Sequence, residues 1–130
     1  MTRKTTVLLV DDHAVVREGY RRLLEGTPDI VVLAEASNGD EAYRAFCDLA
    51  PDVVVMDITL PGIGGIEVAR RIIAREPTAR VLMFSMHEDV VFSSRALQTG
   101  ARGYVTKSSA PEVLVEAVRL VAAGKLYISH

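Results

Sequence analysis

The amino-acid sequence predicts an α/β fold: a three-layer, doubly wound domain in which helices cover both faces of a parallel sheet. Short apolar runs without polar alternation, typical of strands buried on both faces, recur along the chain. They cover residues 7–10, 30–34, 53–56, 81–84 and, more weakly, 103–105. Segments with helical spacing separate these runs, and glycine or proline marks the boundaries. Five successive strand–helix units of this kind predict five strands joined by right-handed crossovers.

The helical segments each carry apolar residues on one face, as a helix that covers a sheet must. Those residues are Val16, Tyr20, Leu23 and Leu24; Ala42, Ala45, Phe46 and Leu49; Ile66, Ala69, Ile72 and Ile73; Val90, Ser94 and Leu97; and Val113, Leu114, Ala117, Val118 and Val121. A length of 130 residues with 49% hydrophobic composition suits one domain spanning residues 1–130. No low-complexity tract or linker interrupts it.

The charge balance argues against a surface for nucleic acid or membrane. The chain has 15 Lys and Arg residues and 17 Asp and Glu residues, which give a net charge of -2, and no block of like charges. Cys47 is the sole cysteine, which excludes an internal disulfide, and its helical context predicts a small buried hydrophobe. The first apolar run has only four residues, too few for a signal peptide or a transmembrane helix. We therefore expect a soluble, cytoplasmic chain.

Polar residues stand at the carboxyl ends of the predicted strands, where open α/β sheets bind their ligands. In strand order they are Asp11 and Asp12, Glu35, Asp57, Ser85, and Thr106 with Lys107. If the first and third strands are neighbours, the three aspartates converge and Ser85 and Lys107 close the other side. Two adjacent carboxylates at the end of a buried strand cost free energy unless a cation compensates them. A bound cation and the Lys107 ammonium would supply that charge.

Phosphoryl transfer to a carboxylate is the chemistry that this set of residues suits. Magnesium prefers oxygen ligands, so two or three carboxylates plus a phosphate oxygen make a plausible site. With the metal in place, Asp57 can approach a phosphoryl group that its own charge would repel. Lys107 would neutralise a second phosphoryl oxygen, and the Ser85 hydroxyl could donate to a third. Positioning and charge neutralisation are most of what this reaction requires.

Each residue taken singly has a plainer interpretation. Asp12 could cap the first helix through its side-chain oxygen. Asp57 could be a turn residue, Ser85 a solvated loop hydroxyl and Lys107 an exposed charge. Their joint placement at four of five strand ends favours a common site instead.

The same residues resemble the signature of the receiver domains of bacterial two-component response regulators. The pair Asp11 and Asp12, then Asp57 with the turn at residues 61–62, then Ser85 and Lys107 carry the resemblance, which covers essentially the whole chain. It implies a flavodoxin-like receiver fold with strand order 2-1-3-4-5. The stretches DDHAVVREGYRRLL, DITLPG, SMH and GYVTK are similar to the NarL/FixJ (LuxR-type) branch. Members of that branch carry a C-terminal helix-turn-helix that binds DNA.

The resemblance also implies a role for each residue. Asp57 would accept a phosphoryl group from a sensor histidine kinase. Asp11, Asp12 and Asp57 would hold Mg2+, together with the backbone carbonyl of Thr59. The side chains expected to sense the phosphoryl group are Ser85 and Lys107.

The output of such a receiver would be a change in its surface. Tyr104 matches an aromatic switch position, although a strand tyrosine with a wet hydroxyl is the alternative. Phosphorylation would then shift homodimerisation or the hold on a DNA-binding domain beyond this chain. His87 resembles a position at the site rim, but a solvated loop histidine is the plainer interpretation, and His13 is expected to start the first helix. Many receivers have proline after the lysine, joined by a cis bond, whereas this chain has Ser108.

Three other functions remain open. A stand-alone receiver would act by protein–protein contact alone. A haloacid-dehalogenase-type phosphatase also uses an aspartate nucleophile and magnesium, but it needs an aspartate where this chain has Thr59. A flavodoxin-like FMN carrier needs hydroxyl and backbone donors after the first strand, where this chain presents two carboxylates.

Overall fold

Strands and helices alternate along the chain in the computed structural model, which describes residues 3–86, 90–109 and 111–128, without the side chains of residues 90–92. The strands are β1 (Thr5–Val10), β2 (Ile30–Ala36), β3 (Val53–Asp57), β4 (Val81–Ser85), β5 (Gly103–Thr106) and β6 (Tyr127–Ile128). The helices are α1 (Ala14–Glu25), α2 (Gly39–Leu49), α3 (Gly64–Arg75), α4 (Val90–Gln98) and α5 (Pro111–Ala122). His87 lies outside the described residues.

The strands form one parallel sheet in the order β2-β1-β3-β4-β5-β6. This confirms the α/β class and the order 2-1-3-4-5 of the first five strands. The strand order reverses between β1 and β3, so the carboxyl ends of these two strands are adjacent at the switch point.

Within the part of the chain that the structure describes, the sheet has six strands rather than the five predicted. β6 is only two residues long and pairs with Gly103 and Tyr104 of β5. Gly124, with φ of 87°, takes the chain through a conformation that suits glycine just before this strand. A Cβ at Gly103 would lie 2.9 Å from the Tyr127 carbonyl oxygen, so the missing side chain permits the close pairing. A two-residue strand has no apolar run from which it could be predicted.

Two hydrophobic clusters lie on opposite faces of the sheet. Alternate residues of the central strands point to each cluster: Leu8 and Val54 to one, Val7 and Val53 to the other. The first cluster packs under α2, α3 and α4, and the second under α1 and α5. This is the predicted three-layer arrangement. Cys47 is half-buried rather than buried, because it lines an open cleft between α2 and α3.

Glycine brings α3 close to the end of β3. A Cβ on Gly65 would lie 1.9 Å from the carbonyl oxygen of Asp57, so no larger residue fits there without a backbone shift. The Gly65 N–H donates to the Ile58 carbonyl at 2.8 Å. The segment after Asp57 is thereby held against the start of α3.

Among the described residues, no helix is both long and apolar enough to cross a membrane.

Candidate functional site

Four of the predicted site residues meet at the carboxyl edge of the sheet. Asp11 follows β1, Asp57 ends β3, Ser85 ends β4 and Lys107 follows β5. Asp11, Asp57 and Ser85 are 2%, 4% and 0% exposed, so Ser85 is not the solvated loop hydroxyl of the plainer interpretation. Buried carboxylates require a compensating charge or hydrogen bonds, which the surrounding residues supply.

Lys107 provides the compensating positive charge. Its Nζ lies 2.7 Å from Asp11 Oδ2 and 3.2 Å from Asp57 Oδ2, and its side chain is 7% exposed. The alternative of an exposed lysine is therefore wrong. Burial acts to lower the pKa of Lys107, but the two carboxylates outweigh it and hold the pKa above its ordinary value. The ammonium also lies 5.6 Å from the centroid of the Phe84 ring, within cation–π range.

Asp57 keeps one oxygen on the backbone and the other on the lysine. Its Oδ1 accepts the Thr59 N–H at 3.0 Å, which is the hydrogen bond of a turn residue, while Oδ2 faces Lys107. The turn interpretation of Asp57 is thus compatible with a place in the site. Burial raises the pKa of Asp57, against the opposing effects of the Thr59 amide and Lys107. Asp57 is therefore a carboxylate that gains from added positive charge nearby.

Asp11 and Asp12 form the other wall of the site. Asp11 Oδ1 accepts the His13 N–H at 2.8 Å. His13 occupies the N-cap position of α1, as expected, and its side chain makes no capping hydrogen bond. The alternative role of Asp12 as a helix cap is therefore wrong, because α1 begins at Ala14 and the residue directly before it is His13, not Asp12. The Asp12 side chain is 30% exposed and its Oδ1 lies 3.1 Å from His13 Nδ1.

A metal ion fits this group of side chains. One ligand atom each from Asp11, Asp12, His13 and Asp57 lie within 4.8 Å of one another. Three of the four are carboxylates, and hard cations such as Mg2+ prefer oxygen ligands. The described residues thus hold an acidic cluster that could bind a metal, with Lys107 beside it. The sequence did not reveal the approach of His13, since a residue at the start of a helix carries no signal of where its ring points.

Ser85 and Tyr104 lie on adjacent strands next to the site. The Ser85 carbonyl accepts the Lys107 N–H at 2.7 Å, which ties the lysine loop to β4. Tyr104 is 1% exposed and belongs to the core cluster under α2, α3 and α4, so the alternative of a wet hydroxyl is wrong. The peptide bonds of the described residues are trans, including the bond from Lys107 to Ser108.

A group of residues behind the site was not predicted. Arg17 of α1 donates to the Asp11 carbonyl at 2.6 Å and to Glu35 Oε1 at 2.9 Å. The sequence places Glu35 at the end of the second strand, but it carries no signal that identifies Arg17 as the partner, because that contact depends on the distance between α1 and β2. Tyr20 packs edge-on against Phe84, with ring centroids 4.7 Å apart.

Comparison with known proteins shows which family the chain resembles. Residues 7–119 match the family described as "Response regulator receiver domain". The response regulator GacA of Pseudomonas viridiflava is 42% identical over 123 residues, which are 95% of this chain and 58% of that protein. The chain thus spans little more than half the length of this relative.

Solved structures give the same picture. A two-component response regulator of the LuxR family from Aurantimonas sp. SI85-9A1 is 50% identical, with a TM-score of 0.95 and coverage of 97% of this chain and 90% of that one. The receiver domain of the putative response regulator NarL from Mycobacterium tuberculosis is 35% identical, with a TM-score of 0.91 and coverage of 95% and 100%. The chain therefore belongs to the response regulator receiver domain family, in its NarL/LuxR-type branch.

Proposed function

We propose that this receiver accepts a phosphoryl group on Asp57 from a sensor histidine kinase and that Mg2+ assists the transfer. The observation that carries the proposal is the double contact of Lys107 with the buried carboxylates of Asp11 and Asp57, at 2.7 and 3.2 Å. A structural ion pair needs one carboxylate, whereas here a second one, and the nearby Asp12, add unbalanced negative charge. Such a cluster is suited to a cation and to an incoming phosphoryl group.

In the transfer, a carboxylate oxygen of Asp57 forms a bond to phosphorus as the bond from phosphorus to the kinase histidine breaks, and the imidazole leaves with that electron pair. Asp11, Asp12 and Asp57, with the Thr59 carbonyl, would hold Mg2+, which supplies positive charge between carboxylate and phosphate. Lys107 neutralises one phosphoryl oxygen. The Ser85 hydroxyl donates to another.

The same residues argue against turnover of outside substrates. Thr59 stands where a haloacid-dehalogenase-type phosphatase would carry a second aspartate as its general acid, and a threonine hydroxyl does not replace it. We therefore propose that the chain accepts and slowly hydrolyses its own phosphoryl group and is not a phosphatase. The FMN carrier is likewise disfavoured, since Asp11 and Asp12 would repel a cofactor phosphate.

The output that we propose is a change of surface around α4, β5 and α5. Ser85 ends β4 beside the site, and Tyr104 lies on the neighbouring strand β5, where 1% of its surface is exposed. Phosphorylation would change how these two side chains pack and favour homodimerisation or release of a C-terminal DNA-binding domain. The net charge of -2 gives residues 1–130 little attraction for DNA by themselves. We also propose that the receiver is cytoplasmic and that it controls transcription through that DNA-binding domain.

Acetyl phosphate and intact-mass measurement test the transfer. We expect the chain to gain one phosphoryl group in the presence of Mg2+ and none in EDTA. Asp57→Asn should gain none under either condition, and Asp48→Asn, a change of an exposed carboxylate on α2, should behave as wild type. Equal labelling with and without EDTA would contradict the metal requirement. Full labelling of Asp57→Asn would contradict the choice of acceptor.

A further inference from the structure

Arg17 connects three parts of the fold directly behind the acidic cluster. Its Nη1 donates to the Asp11 carbonyl at 2.6 Å, and its Nε donates to Glu35 Oε1 at 2.9 Å. The Arg17 side chain is 18% exposed and that of Glu35 is 24% exposed, so solvent screens this contact only in part. One guanidinium thus joins α1, β2 and the turn between β1 and α1.

The carbonyl that Arg17 binds belongs to the peptide unit between Asp11 and Asp12. The other groups of Asp11 are already fixed: its N–H donates to the Ala36 carbonyl at 3.0 Å, and its carboxylate contacts Lys107. The second carboxylate oxygen of Asp11, Oδ1, accepts the His13 N–H at 2.8 Å. Arg17 acts on the peptide plane itself, because it binds the carbonyl oxygen that lies in that plane. Because the plane sets the direction in which the chain continues, it also sets where the Asp12 carboxylate stands.

Glu35 holds the guanidinium in place from the other side. Its second oxygen, Oε2, accepts from Arg21 Nη1 at 3.0 Å, so the carboxylate is shared between two successive turns of α1. Glu35 lies on β2 in register with Leu9 of β1. The Arg17 guanidinium is therefore held in place by a residue of the sheet.

We propose that Arg17, held by Glu35, is a positioning residue that orients Asp12 for Mg2+ binding. The proposal rests on the proposed function, because it assigns Arg17 to the support of that metal site. Arg17 contacts a backbone atom of the cluster and none of its carboxylates in the described hydrogen bonds, so it acts through Asp11 and Asp12. Residues that orient metal ligands in this way typically change metal affinity about 10- to 100-fold when they are replaced.

Arg17→Lys and Arg17→Ala test the proposal. Lysine keeps the charge but offers a single ammonium, which does not reproduce the planar two-direction contact with Glu35 and the Asp11 carbonyl. Arg22→Ala is the matched control, since Arg22 is on the same helix and pairs with Glu18 on the surface. Titration of 15N-labelled protein with MgCl2 gives Kd from the amide shifts, and the Asp12 amide in EDTA reports its orientation.

We expect both Arg17 variants to bind Mg2+ about 10-fold more weakly and to shift the Asp12 amide before metal is added. Labelling by acetyl phosphate should slow at low Mg2+ and return to within about twofold of wild type at saturating Mg2+, since Arg17 touches no reacting group. Arg22→Ala should match wild type throughout. Wild-type Kd and an unmoved Asp12 amide in both Arg17 variants would overturn the proposal, even if the variants unfold more easily. If wild type itself is labelled equally in EDTA, the proposed metal-assisted transfer fails instead.

Discussion

Lys107 and Asp11, 96 positions apart in sequence, meet through an Nζ–Oδ2 distance of 2.7 Å at the carboxyl edge of the sheet. Both side chains are less than a tenth exposed. A pair this deeply buried loses hydration on both sides, so removing one partner leaves an uncompensated charge. The metal-free site therefore depends on Lys107 for its stability.

Replacing Lys107 by Met should destabilise the metal-free protein, because Asp11 and Asp57 then repel each other without a counter-ion. The expected loss at pH 8 is about 3 kcal/mol of unfolding free energy. Saturating Mg2+ should recover part of it, since the metal replaces the lost charge. Urea unfolding in EDTA and in MgCl2 measures both effects. Unfolding at the wild-type urea concentration in EDTA would contradict the assigned role of Lys107.

Replacing Asp12 by Ala should leave the metal-free protein as stable as wild type or make it more stable. The change removes one of three neighbouring carboxylates and no helix cap, because His13 rather than Asp12 is the N-cap residue of α1. Magnesium affinity should fall at the same time. A stability loss of about 0.5 to 2 kcal/mol in EDTA is what a cap would produce, and that result would argue against electrostatic repulsion at the site.

The stability of the metal-free protein should also depend on pH through Asp57. Burial, the largest influence, raises the pKa of Asp57 above its ordinary value of 3.8, so the folded state binds this proton more tightly than the unfolded chain. Its contribution to stability is full below the unfolded pKa and is lost as pH rises through the raised folded pKa. In EDTA, wild type should therefore lose stability relative to Asp57→Asn as pH rises from about 4. A constant difference between the two proteins from pH 4 to pH 8 would contradict this.

Phosphorylation should change association rather than DNA affinity. Beryllofluoride, which mimics a phosphoryl group, should shift the molecular mass in light scattering or the amide-exchange protection of α4, β5 and α5. Asp57→Asn should show neither change. Identical mass and protection with and without beryllofluoride would exclude the switch, and tight sequence-specific DNA binding by residues 1–130 would contradict the assignment of that activity to another domain.

The strands and the strand-end residues could be predicted because a parallel sheet buried on both faces leaves uninterrupted apolar runs. Asp57 and Lys107 were therefore found at the ends of β3 and β5. β6 could not be predicted, since its pairing depends on the space beside Gly103 rather than on an apolar run. The Arg17–Glu35 contact and the position of the His13 ring beside Asp12 could not be predicted either. Both depend on distances between residues in the folded chain, for which the sequence carries no signal.

The position of the phosphoryl group, which we expect on Asp57, can be measured directly. After labelling with acetyl phosphate and Mg2+, borohydride reduction converts an aspartyl phosphate to homoserine, and peptide mass spectrometry locates it. We predict homoserine at position 57 and unmodified aspartate at Asp11, Asp12 and Asp52. Homoserine at position 11 or 12 with an intact Asp57, or no homoserine in a chain that has gained the phosphoryl mass, would show that Asp57 is not the acceptor.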